Sequence, residues 1–108
     1  MSAARDENLH CLGAADLGPL ELRAFDVGDR LVLVARIGAR WCALEDWCNH
    51  AGCLLSDGWR DADAVICPCH EISFDLVTGR NLNAPELAGD QQVFEIEERA
   101  GKLFVRID

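Results

Sequence analysis

Long apolar runs are missing from this sequence: its longest aliphatic stretch, LVLVA at Leu31 to Ala35, falls far short of a membrane span of roughly 20 residues. The opening MSAARDENLH is polar and has no secretory apolar core, so the chain is expected to be soluble and cytoplasmic. No stretch of about 11 residues or more carries an amphipathic helical period, an internal repeat or a low-complexity bias. The glycine fingerprint of dinucleotide binding is absent too, which assigns any NAD(P)H oxidation to a separate protein. Positive charge is scarce, with 10 lysines and arginines against 19 acidic residues. A net charge of -9 makes nucleic acid and anionic membranes poor partners. The acidic residues are scattered along the chain, which fits docking on a basic protein and simple solubility equally.

At 108 residues the chain fits one domain with its own core. Apolar and polar residues alternate at period two, and the breaks are rich in Gly, Pro and Asp, the pattern of short antiparallel strands. LHCLGA, LELRAFDV, RLVLVARI and RWCALED read as strands near the start. QQVFEIEERAGKLFVRID reads as a hairpin turning at Arg99 to Lys102. From about Asp46 to Pro85 the periodicity weakens, leaving AVIC and ISFDLVTG between loops. The expected class is all-β, with antiparallel sheets as a base and residues of about 46–85 as a smaller subdomain standing on it.

Six cysteines in a chain without an export signal point to metal binding rather than a disulfide scaffold. Four of them, with two histidines, crowd into CNHAGC (Cys48 to Cys53) and CPCH (Cys67 to His70). Cys48, His50, Cys67 and His70 have ligand spacing: C-x-H, sixteen intervening residues, then C-x-x-H. A structural zinc site would use the same residue types, but one intervening residue leaves little room to turn both side chains onto a tetrahedral ion. If these four converge, Cys53 and Cys69 come close as well, and close cysteines can form a disulfide. In a reducing cytosol they would instead remain two thiols.

CNHAGC...CPCHEISFDLVTG resembles the signature of Rieske proteins, in which two cysteines hold one iron of a 2Fe-2S cluster and two histidines hold the other. The resemblance spans Ala43 to Pro85. It implies that Cys48 and Cys67 bind the inner iron, and His50 and His70 the outer, solvent-facing one. Replacing two thiolates by neutral imidazoles removes two negative charges, each worth about 4 kcal/mol at about 4 Å and an effective dielectric near 20. That is the size needed to lift the potential into the Rieske range. High-potential members carry a serine and a tyrosine where Ile72 and Phe74 stand here, and a glycine where Glu71 stands. Fewer hydrogen bonds to the cluster sulfurs and one added negative charge predict a potential at the low end of the range, about -150 mV. Ser73 is out of register for that role. The bridge Cys53–Cys69 is, by contrast, typical of the high-potential group. Pro85 falls where the family places a proline-containing loop beside the cluster.

The remaining candidates read as structural. Cys11 and Cys42 lie in strand patterns and are assigned to the core. His10 stands alone and suits a surface or edge-strand position, while Trp47 is assigned to core packing. Since His10 is the one histidine left over, a second, mononuclear iron with two histidines and a carboxylate cannot be built, and the chain is not expected to oxidise an organic substrate. The resemblance implies a soluble ferredoxin passing single electrons from a flavin-dependent NAD(P)H reductase to a terminal oxygenase, with docking at the His50/His70 tip. Three alternatives remain: a small subunit of a larger oxidoreductase complex, a zinc-binding interaction module, and a redox sensor built on Cys53 and Cys69.

Overall fold

The computed structural model describes residues 8–49 and 52–107. In chain order they form β1 (Leu9–Ala14), β2 (Leu22–Val27), β3 (Arg30–Ile37), β4 (Arg40–Glu45), a 3-10 turn (Leu55–Asp57), β5 (Trp59–Asp61), β6 (Ala64–Ile66), β7 (Ser73–Asp75), β8 (Val93–Arg99) and β9 (Lys102–Arg106). Six strands make one antiparallel sheet in the order β1-β9-β8-β4-β3-β2, and β5-β6-β7 make a second, smaller one. No helix among the described residues is long and apolar enough to cross a membrane.

The aliphatic run of the sequence is β3, and its burial on both faces explains it. Successive strand side chains point to opposite faces, so Leu33 and Ala35 enter one apolar cluster while Val32 and Val34 enter another. The second cluster joins Val27 of β2 to Leu103 and Val105 of β9, strands far apart in the sheet order, so the large sheet curls around it. The first cluster holds the two sheets together. Cys42 and Leu44 of β4 meet Leu55, Val65, Ile72, Phe74 and Leu76 there. At roughly 1.5–3 kcal/mol for each fully buried large aliphatic or aromatic side chain, this cluster is the main force seating the small sheet. Arg60 of β5 adds polar ties, donating to the carbonyls of Pro19 at 2.8 Å and Arg36 at 2.9 Å.

The β8–β9 hairpin turns at Ala100 and Gly101, both with positive φ, as a two-residue hairpin turn demands. β1 and β3 have the limits the periodicity indicated, β2 starts two residues later, and β5 was not anticipated because three residues carry too little periodicity. Two burial assignments change. Cys11 is exposed, not in the core: the β1–β9 register shifts between Cys11 and Gly13, and Leu12 is the residue that packs inward. Trp47 is 47% exposed, because strand-like alternation sends its neighbours Asp46 and Cys48 inward and Trp47 outward. Cys42 is buried and His10 is exposed on β1, an edge strand.

Candidate metal centre

The two cysteine-histidine segments fold into matched loops. In the first, Cys48 N–H donates to the Cys53 carbonyl at 2.7 Å and Gly52 N–H to the Cys48 carbonyl at 3.1 Å. In the second, Cys67 N–H donates to Ile72 and Glu71 N–H to the Cys67 carbonyl, both at 2.9 Å. Gly52 and Glu71 hold equivalent places, with φ of 71° and 55°. Glycine adopts that left-handed backbone freely, whereas a glutamate there costs about 1–2 kcal/mol and must be held by its surroundings.

The first residue of each loop points into the core. Cys48 is 2% and Cys67 1% exposed, and both belong to the apolar cluster between the sheets. Burial pushes the Cys67 thiol above its ordinary range, and a hydrogen bond to Cys48 and the charge of Cys48 push it further; the N–H groups of Cys69 and His70 pull the other way. The two cysteines are buried in one cluster and supply two soft sulfur donors. That donor pair therefore fits one iron of a cluster. The second loop also carries His70, which is exposed, and Cys69 forms a disulfide with Cys53, their Cα atoms 6.4 Å apart. His50 lies outside the described residues, and among those described no group of three or more His, Cys, Asp or Glu side chains gathers around one metal position.

Ile72 and Phe74 are fully buried in the same cluster as Cys48 and Cys67. Hydrocarbon thus fills both positions. Pro85 is exposed on segment 82–90, and Ser73 uses its backbone rather than its hydroxyl, donating N–H to Asn83 Oδ1 at 2.9 Å.

Polar residues missed in the sequence support both loops. The carboxylate of Asp46, fully buried, accepts Ser56 N–H at 2.7 Å and Ser56 Oγ–H at 2.6 Å. Burial raises its pKa while those two bonds oppose the rise. Asp46 N–H also donates to Leu31 O, and Leu55 N–H to Asp46 O, both at 2.8 Å, which fixes the chain two residues before Cys48. Gln91, 4% exposed, accepts from Asn49, the neighbour of Cys48. The trailing FDLVTG also acquires a reason: Asp75 Oδ1 accepts the N–H of Val77 and Thr78, and Gly79 N–H donates to Asp75 O at 2.8 Å, which closes a tight turn against the backbone of Gln91.

The Rieske [2Fe-2S] domain family matches residues 7–97. The chain is a member of the Rieske family. The all-β fold expected from the period-two alternation is therefore that of a Rieske domain, and the family's cofactor is a 2Fe-2S cluster. The Rieske domain is similar to ferredoxin CarAc of Metapseudomonas resinovorans, 34% identical over 90% of this chain and 91% of that protein. It is also similar to the anthranilate 1,2-dioxygenase ferredoxin subunit of Burkholderia cepacia, 35% identical over 99% of both chains. Among solved structures, the complex of reduced oxygenase and oxidized ferredoxin in carbazole 1,9a-dioxygenase contains a chain that superposes with a TM-score of 0.84 at 33% identity, over 92% of this chain and 93% of that one.

Proposed function

We propose that this Rieske protein is a ferredoxin that carries single electrons to the terminal oxygenase of an aromatic-ring dioxygenase system and takes them from a flavin-dependent NAD(P)H reductase in the cytoplasm. The observation that carries it is the pair of matched loops, each opening with a cysteine buried in the same cluster, in a chain whose relatives are ferredoxin components along nearly their whole length. Cys48 and Cys67 would hold the inner iron, His50 and His70 the outer one. Bound there, the cluster supplies one-electron exchange.

The rest of the chain does the work of a carrier. The two apolar clusters give a rigid frame. Pro68, Cys69, His70 and Glu71 are exposed together at the end of the second loop, so an electron would leave where a partner can approach. Nearby segment 82–87 exposes Leu82 and Leu87, about half accessible each at 50% and 52%, a small apolar surface that suits brief docking. Glu71 and Glu86 add negative charge there, which would steer the tip toward a basic patch and make association fall with salt.

The test mixes the reduced protein with an oxidised aromatic-ring oxygenase in a stopped-flow instrument. Loss of reduced-protein absorbance coupled to oxygenase reduction, slowing steeply as salt rises from low to high, is the expected result. Oxidation of an aromatic substrate by this chain alone, or no electron transfer to any such oxygenase, would overturn the proposal.

A further inference from the structure

We infer that segment 81–91 is a polar strap that positions both ligand loops, with Gln91 and Asn83 as its hooks, and that it holds them without help from the disulfide. The strap depends on the Rieske reading only where it refers to the cluster. β5 and β6 separate the two loops along the chain, and one disulfide, Cys53–Cys69, joins them. Cys69 is exposed, so reductants reach that bond from solvent.

Gln91 brackets the first loop. Its Oε1 accepts Asn49 N–H at 3.2 Å and Asn49 Nδ2–H at 2.7 Å, while its Nε2 donates to the carbonyls of Glu45, at 2.7 Å, and Trp47. Bonds from one side chain thus fall on both sides of Cys48. Asn49 Nδ2 also donates to Gly89 O at 2.9 Å and Asp90 O at 3.3 Å. Asn83 brackets the second loop: its Oδ1 accepts Ser73 N–H at 2.9 Å and its Nδ2 donates to the Glu71 carbonyl at 3.0 Å. Glu71 is the residue in the left-handed conformation next to His70, so Asn83 holds the one place in that loop where the backbone is strained.

The hooks are rigidly joined. Asn81, 5% exposed, donates Nδ2–H to Ala84 O at 3.1 Å and Ala88 O at 2.9 Å, and its Oδ1 accepts the N–H groups of Asn83 at 3.3 Å and Ala84 at 2.9 Å. Its own N–H donates to Asp90 Oδ1 at 2.9 Å. The amides of Asn81 and Gln91 have both ends satisfied, and a buried amide tolerates no missing partner, so the segment keeps one conformation. A displacement of either hook reaches both loops.

The test follows cluster loss from the full-length holoprotein, read as visible bleaching with a ferrous-iron chelator, with and without the phosphine reductant TCEP. In the wild type, TCEP is expected to speed loss by less than about twofold, because the strap persists. In Asn83→Ala, which lacks both bonds to the second loop, loss under TCEP is expected to be about tenfold faster or more, and Asn83→Asp, which keeps the acceptor for Ser73 N–H, should fall between. Amide exchange supplies a local readout: Ser73 N–H should lose protection in Asn83→Ala while the β3 amides keep theirs. TCEP releasing the wild-type cluster as fast as that of Asn83→Ala, or unchanged Ser73 protection in Asn83→Ala, would overturn the strap. If the wild type holds zinc instead of iron and sulfide, the Rieske reading fails, and the exchange pattern alone decides the strap.

Discussion

Gly79→Ala would push a methyl group against the strap, and the structure gives the size of the effect. Gly79 has φ +77°, and a Cβ placed on it lies 2.2 Å from the Gln91 carbonyl oxygen and 2.9 Å from Val93 Cγ2. The left-handed backbone alone costs an alanine about 1–2 kcal/mol. Relieving the contact requires residues near Gln91 to move, which breaks the 2.7 Å bond from Gln91 N–H to Gly79 O. That adds about 1 kcal/mol for the bond and about 1 kcal/mol or more for overpacking, so the total is about 3–4 kcal/mol. Gly101→Ala is the control: its φ is +79°, yet nothing lies within 4 Å of the place its methyl group would take, so it should cost only the backbone strain. Urea unfolding followed by circular dichroism measures both. With a slope of roughly 1–3 kcal/mol per molar urea, the midpoint of Gly79→Ala should fall about 1 M or more below that of Gly101→Ala. Equal midpoints would refute the close approach of Gly79 to Gln91, and with it the placement of the strap.

Other outcomes follow from the same geometry. Cys53→Ser with Cys69→Ser opens a loop set by a separation of 16 residues and should cost about 3 kcal/mol in urea unfolding while iron content stays stoichiometric. Ile72→Ser with Phe74→Tyr should raise the reduction potential measured by protein-film voltammetry and, because both positions are fully buried, lower stability by about 2–5 kcal/mol; an unchanged potential would show that hydroxyls at these sites do not reach the cluster. His70→Cys should leave a cluster of much lower potential or none, and an unchanged potential would exclude His70 as a ligand. The Glu21 carboxyl sits below its ordinary range, first because it accepts Gly18 N–H and then because it pairs with Arg23. A lowered acid stabilises the fold above its unfolded pKa, and that contribution is lost as pH falls through the folded value. Glu21→Gln should therefore lose less stability than the wild type between neutral and acid pH in urea titrations.

Much of the fold was legible because its strands obey a simple rule. The period-two alternation of the β8–β9 hairpin marks two strands that the structure contains, and the unbroken aliphatic run in β3 reflects a strand covered on both sides. Periodicity fails where the backbone departs from regular pairing. The register shift after Cys11 turned an expected core thiol outward, and the loop geometry around Cys48 left Trp47 at the surface. Of the site, the cysteines announced themselves by spacing. Gln91, Asn83, Asn81 and Asp46 did not, since an amide or carboxylate in a polar loop looks the same in sequence whether it faces water or closes a buried network. Glu71 was legible as an added charge, but its left-handed backbone, matched to Gly52, emerged only when the two loops could be superimposed by their hydrogen bonds.

Electron carriage depends on the cluster, and the measurement that reaches it most directly is the low-temperature EPR spectrum of the dithionite-reduced protein, taken with its iron, sulfide and zinc content. A rhombic signal whose average g lies below that of an all-cysteine cluster, with two irons and two sulfides per chain, is the expected result. A colourless, EPR-silent protein containing zinc would contradict it.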